Sequence, residues 1–260
     1  MVGIISALAG IGGGVIMVPF LYLMYGNSPQ SLTAQTVVAH ATSLGVAFVA
    51  SGIGIRKYAR SKAIAWRVAF IYGIPGALSS FITARIVSQA DEAEWVRGAF
   101  GVFLLLSALD MARRAATHRE FTEPRDTHQF SPPILMGVGI AGGVMTSMLG
   151  IGGGLIAVPA LLYIARLPIR TVAPTSLVAV GLATLSGMIS YLTAPNAPPV
   201  SEIMVGWVDV RMAIPLAMGA ACTVPLGVHL NRASKPATLY WVFSFLLILV
   251  GIRLIWQSWF

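Results

Sequence analysis

Two glycine runs are the residues in this chain best suited to chemistry of the backbone. Gly10-Ile11-Gly12-Gly13-Gly14 and Gly150-Ile151-Gly152-Gly153-Gly154 both read GIGGG, and each is followed five residues later by a proline, Pro19 or Pro159. Consecutive glycines are poor helix formers and reach backbone angles that other residues avoid. A chain reversal, or a backbone approached by a ligand, needs that freedom, whereas a helix-packing face needs only spaced small residues. Where a helix restarts after such a break, its first N–H groups lack helical partners and carry partial positive charge, a ready site for an anion. Gly12, Gly13, Gly14, Gly152, Gly153 and Gly154 are therefore the first candidates for lining a binding site.

A second feature is a pair of hydroxyl motifs, Thr42-Ser43 within ATSL (41–44) and Thr175-Ser176 within PTSL (174–177). A lone hydroxyl in an apolar helix commonly bonds its own i−4 carbonyl. Recurrence of the pair favours a role in binding, and Pro174 puts Thr175 and Ser176 in the first turn of their helix. His40 shares a helical face with Thr36 and Ser43, and is able to donate to an anion or to carry a proton near neutral pH. Its matching place after the second glycine run holds Ala173. Arg67 and Arg211 also match; they either snorkel to lipid headgroups or form a vestibule for an anion.

Other chemistries are excluded by pattern. Neither run fits GxGxxG, since Val15 and Leu155 stand where the last glycine belongs, and no GxxxxGK[ST] is present. The apolar segments hold no HExxH and no paired carboxylates, so neither an enzyme nor a metal site is expected, and no cofactor is called for. The single cysteine, Cys222, allows neither an intrachain disulfide nor a multi-cysteine metal site.

The elements that position these groups are membrane helices. Of 260 residues, 57% are hydrophobic and 10% charged, with a mean hydropathy of +0.81. A soluble domain carries roughly 25% charged residues. Apolar segments fall at about 2–25, 33–55, 65–88, 95–112, 133–165, 172–194, 208–230 and 237–258. Most are long enough for the roughly 20 residues that one crossing requires. Counted at about 1.5 Å per residue from the nearest links, the Thr-Ser motifs lie roughly 10–17 Å deep and the glycine runs roughly 18 Å deep, so the two can meet. An ionisable His40 at that depth is a functional candidate on that ground alone. The net charge of +8 resides in the links, as in cytoplasmic membrane loops, so the partner is a lipid bilayer and not nucleic acid. No n-region or cleavage site precedes the first glycine run, so no cleavable signal peptide is expected.

The chain divides into two matching halves. GIGGGVIMVP (10–19) and GIGGGLIAVP (150–159) agree at eight of ten positions; WRVAFIYGIPGA (66–77) loosely answers VRMAIPLAMGAA (210–221), and FGVFLLLSALDMARR (100–114) answers FSFLLILVGIRLIWQ (243–257). This predicts a first transmembrane repeat over 1–114, a charged cytoplasmic linker over 115–132 and a second repeat over 133–260. As one helix, 133–165 would run roughly 50 Å against a hydrocarbon core of roughly 30 Å, so it is expected to break into helices at about 133–149 and 154–166. The first segment should break likewise, with a short leading half-helix or a truncated chain start. Arg56, Lys57, Arg60 and Lys62 place the second link inside; Asp91, Glu92 and Glu94 place the third outside; the arginine-rich linker returns inside. In the second half, Arg166 and Arg170 follow the broken segment and Arg232 and Lys235 the seventh. The fold expected is an all-α integral membrane protein: two repeats, each a broken or re-entrant helix plus three transmembrane helices, inverted about a pseudo-two-fold axis. Asp110 and Arg253 match but then lie on opposite faces.

With both GIGGG-x-x-x-VP runs and both TSL motifs, the chain resembles the TauE/SafE family of sulfite and organosulfur-anion transporters over essentially its whole length. The resemblance implies a bacterial inner-membrane permease for a small sulfur-containing anion such as sulfite or a sulfonate, without ATP. It maps the family's motifs onto Gly10, Gly12, Gly13, Gly14, Gly150, Gly152, Gly153, Gly154, Thr42, Ser43, Thr175 and Ser176. Alternating access about an anion held between the two breaks, with or without coupled protons at His40, is the mechanism expected. An anion channel, or a permease for a small carboxylate, uses the same features. Oligomeric state and direction of transport have no signal in the sequence.

Overall fold

The computed structural model describes residues 2–10, 12–25, 32–89, 131–197 and 199–259, together with scattered helical positions between 102 and 116. The helices are α1 (Val2–Ala9), α2 (Gly14–Tyr25), α3 (Leu32–Ala59), α4 (Trp66–Val87), α5 (Pro132–Leu149), α6 (Gly154–Tyr163), α7 (Ile169–Thr193), α8 (Val210–Ala233) and α9 (Pro236–Trp259). Two short strands, β1 (Met204–Val205) and β2 (Val208–Asp209), precede α8. Asp110, the acidic link 91–94 and linker positions 117–130 lie outside the described residues.

Among the described residues, five helices are long and apolar enough to cross a bilayer. Leu23, Leu78, Met218 and Phe245 point large apolar side chains outward, which suits a lipid-facing surface and not a wet one. The chain is an all-α, multi-pass membrane protein apart from the small hairpin. Both long segments carrying a GIGGG run are interrupted there: α1 ends at Ala9 and α2 begins at Gly14, while α5 ends at Leu149 and α6 begins at Gly154. The leading half-helices differ in length, eight residues for α1 against 18 for α5.

Close backbone approach joins these half-helices to long neighbours. A Cβ at Gly3 of α1 would collide with the Ala220 carbonyl of α8, and one at Gly143 of α5 with the Gly76 carbonyl of α4. Without a hydrophobic drive between helices in lipid, such small-residue contacts are how membrane helices pack.

Two expectations need correction. Pro174 does not begin its helix: α7 starts at Ile169 after Pro168, so Pro174 lies inside it, and Thr175 and Ser176 sit in its second turn. Pro168, with its extended ψ, takes the boundary role instead. The seventh apolar segment does not begin as helix either. Residues 208–209 pair with 204–205 around a two-residue turn whose first member, Gly206, has φ 55°. A glycine leading a two-residue turn is the hairpin signal that the apolar run obscured.

Candidate functional site

Both glycine runs take nearly the same backbone path. Gly10, Gly12 and Gly13 have φ of 67°, 85° and 79°; Gly150, Gly152 and Gly153 have 65°, 85° and 67°. Left-handed angles cost residues bearing a Cβ roughly 1–2 kcal/mol each, so three of them within four residues select glycine. The Gly10 N–H donates to the Ser6 carbonyl at 2.8 Å, closing α1, and the Gly150 N–H donates to the Thr146 carbonyl at 3.0 Å, closing α5. α2 and α6 then restart, presenting first-turn N–H groups at the breaks.

The two breaks touch each other. A Cβ on Gly12 would stand 3.6 Å from the Gly152 Cα and 2.8 Å from Val180 Cγ1. One on Gly14 would collide with the Gly150 carbonyl oxygen and lie 2.6 Å from the Ile151 Cα. Only bare backbone fits along this seam.

Serines hold the breaks crosswise. Ser43, on α3, shares its hydroxyl between the Gly150 carbonyl at 2.6 Å and its own-helix His40 carbonyl at 2.7 Å. Ser176, on α7, does the same with the Gly10 carbonyl at 2.9 Å and the Ala173 carbonyl at 3.0 Å. The threonines beside them cap helices crosswise. Thr42 Oγ1 accepts from the Asp209 N–H at 3.0 Å, and Thr175 Oγ1 from the Ala65 N–H at 3.1 Å. Asp209 and Ala65 are the N-cap residues of α8 and α4. Thr42, Ser43, Thr175 and Ser176 are all fully buried. The structure thus brings the sequence-selected hydroxyls and glycines together, with both serine donors directed at backbone carbonyls of the breaks.

His40 is buried beside the second break. A Cβ on Gly150 would lie 2.7 Å from the His40 Cα and 3.0 Å from its Cδ2, while at Gly10 the corresponding neighbour is Ala173, 2.8 Å away at its Cα. Tyrosines add a further matched pair: Tyr58 donates to the Ala7 carbonyl and Tyr191 to the Ser147 carbonyl, each at 2.9 Å.

These contacts lie between two distinct ends. Arg232, at the end of α8, donates to the Lys57 carbonyl at 2.8 Å and to Ser61 Oγ at 2.7 Å, and its guanidinium sits 5.6 Å from the Tyr58 ring centre. The C-terminus of α8 therefore lies with the Arg56–Lys62 loop, at what we term the basic end. The N-terminus of this 24-residue helix, with β1 and β2, defines the opposite, hairpin end. At the hairpin end Asp209 is fully buried. Its Oδ2 accepts from the Tyr25 hydroxyl at 2.9 Å and its Oδ1 from the Met212 N–H at 3.2 Å. Arg211 is exposed and paired with Glu202 at 3.4 Å; Arg67 is exposed at the start of α4.

Tyr25 and Asp209 were not singled out by sequence reasoning. Asp209 is the one acid within the seventh apolar segment, a signal that intramembrane carboxylates are functional candidates by default.

Interrupted apolar helices that meet at bare backbone are an arrangement from which membrane transporters build solute sites. The family described as Sulfite exporter TauE/SafE matches residues 1–254, and the chain belongs to that family. It is 30% identical over 254 residues to a probable membrane transporter protein of Methanocaldococcus jannaschii, covering 97% of this chain and 91% of that one. A probable membrane transporter protein of Xylella fastidiosa is 28% identical over 266 residues (100% and 93%), and one of Bacillus subtilis 24% identical over 274 residues (98% and 94%). No solved structure matches the chain.

Proposed function

We propose that the protein is a secondary permease for a small sulfur-containing anion, such as sulfite or a sulfonate, working by alternating access in a bacterial inner membrane. The observation that carries this reading is the contact of the two glycine breaks at Gly12 and Gly152, between the restarting ends of α2 and α6. Two helix N-termini converging on bare backbone concentrate N–H donors and positive potential where an anion would pass. Gly12, Gly13, Gly14, Gly152, Gly153 and Gly154 supply the binding backbone. Ser43 and Ser176 hold it in shape, Thr42 and Thr175 tie the long helices to it, and His40 lines the second break. In the conformation described the seam is closed, and the substrate would enter as the halves separate.

An inverted pair of repeats, 1–114 and 133–260 joined by the linker 115–132, is the architecture we infer for this motion. Its support is the pairing of contacts at matching residues: Ser43 with Ser176, Thr42 with Thr175, Tyr58 with Tyr191. Thr42 contacts the hairpin end and Thr175 the start of α4, next to the basic loop. By the excess of Lys and Arg, the basic end faces the cytoplasm.

The test is exchange of labelled sulfite in proteoliposomes. Saturable counterflow by the wild type is expected, with a loss of about tenfold or more, equivalent to about 1.4 kcal/mol, in Gly12→Ala protein that remains monodisperse. Unchanged counterflow in that variant would sink the glycine site. Unitary conductance without counterflow would make the protein a channel, and exchange of acetate but not sulfite would move the cargo to carboxylates.

A further inference from the structure

Most hydroxyls around the two breaks are already committed to the fold. Ser43 and Ser176 donate to glycine carbonyls, and Thr146, one turn before Gly150, donates to the Gly142 carbonyl at 2.7 Å. Two others are buried with no hydrogen-bond partner: Ser6 Oγ, in a fully enclosed residue, and Tyr72 Oη, in a residue 4% exposed. Buried polar groups are normally paired, so each of these calls for a reason. Ser6 is the counterpart of Thr146. It stands four residues before Gly10, and its carbonyl, like that of Thr146, accepts the glycine N–H that closes the half-helix. A Cβ on Gly153 would collide with Thr146 Oγ1. Because the two breaks share one backbone path, Ser6 is turned to Gly13 in the same way. Tyr72 reaches the second break from α4. A Cβ on Gly142 would collide with its hydroxyl, and one on Gly153 would stand 2.9 Å from the Gly142 carbonyl oxygen. Tyr72, Gly142 and Gly153 therefore touch in series. The residue matching Tyr72 in the second half is Leu216, which has no hydroxyl.

We propose that Ser6 and Tyr72 are the side-chain donors of the anion site, one at each break, beside the first-turn N–H groups of α2 and α6. This rests on the anion-permease reading and deepens it. A hydroxyl with no partner in the closed seam has no bond to break before it turns to a ligand, and its hydrogen bond to an anion is charge-assisted. Ser43 and Ser176 would first have to release a carbonyl, which would loosen the break they hold. Two separate donors call for two acceptor atoms. Sulfite, a sulfonate or a carboxylate offers an oxygen to each, whereas a halide is a single atom and leaves one hydroxyl unpaired. The site therefore selects oxyanions by the bonds a halide cannot complete.

Ser6→Ala and Tyr72→Phe remove the hydroxyls and little else. Thermal unfolding of the full chain in detergent, with and without sulfite, separates a binding role from a structural one. Without anion, both variants should melt no lower than the wild type, since no hydrogen bond within the fold is lost. Ser43→Ala, which strips the Gly150 carbonyl of its donor, should melt about 3 °C lower or more. A drop of that size in Ser6→Ala or Tyr72→Phe overturns the proposal. With sulfite the wild type should gain stability, and each variant should need about tenfold more sulfite for the same gain. In counterflow the same variants should show KM raised about tenfold with kcat changed less. An undiminished sulfite response in either variant overturns the proposal, as does a wild-type gain from chloride equal to that from sulfite. If the wild type responds to none of sulfite, methanesulfonate and acetate, the anion-permease reading itself falls, and this proposal with it.

Discussion

The hairpin end and the basic end are built on the same plan and finished differently. At each, a buried threonine accepts a hydrogen bond from the N-cap N–H of a long helix, and the adjacent serine grips a glycine carbonyl. At the hairpin end the capped residue is Asp209, locked to Tyr25; at the basic end it is Ala65, and Ala165 stands where Tyr25 has its match. The shared part holds both breaks in shape. The unshared part, the Tyr25–Asp209 pair, is what makes the two ends different.

Substitutions at paired positions sharpen or break that comparison. The largest effect is expected at the shared core. Gly10→Val and Gly150→Val each put a β-branched side chain at a positive φ and drive a Cβ into the opposing serine and helix backbone. Both should cost more than about 3 kcal/mol, by strain and overpacking together, and abolish monodisperse protein in size-exclusion chromatography. Survival of one alone would show that the ends do not share a scaffold. Next, Tyr25→Phe strips a donor from a buried carboxylate and should lower thermal stability by about 1–3 kcal/mol. Ala165→Tyr should not create an equivalent lock, because its cap partner is alanine. Thr42→Val and Thr175→Val each strip the acceptor from an N-cap N–H and should destabilise alike, by about 1–2 kcal/mol. The smallest effects should be equal: Tyr58→Phe and Tyr191→Phe each lose one hydrogen bond to a half-helix carbonyl, at about 1 kcal/mol in a matched unfolding assay. A difference well beyond that between the two tyrosines would argue against equivalent halves.

The helix breaks were readable from residues alone, because a run of glycines has a direct conformational meaning; the ends at Leu149 and Gly154 fall where the spacing predicts. The meeting of hydroxyls with glycines followed from depth along each helix. Depth, however, says nothing about azimuth, so the crosswise choice of Ser43 for Gly150 and Ser176 for Gly10 was set only by long-range packing. Pro174 misled because a proline mid-helix and a proline at a helix start look alike when both flanks are apolar. Asp209 was missed for a related reason: a lone acid at the edge of an apolar run reads as loop until Tyr25, 184 positions away, is found bonded to it.

The crossed serine grips also impose an order on biosynthesis. When the second break leaves the ribosome its partner already waits, since Ser43 precedes Gly150 by 107 positions. The first break has no such advantage: Gly10 must wait for Ser176, 166 positions later. The earliest feature of the chain to be translated is thus the later of the two to be secured. A nascent chain stalled short of Ser176 should leave the thiol of Ser6→Cys, in the turn that Gly10 closes, open to alkylation, and one released beyond α7 should not.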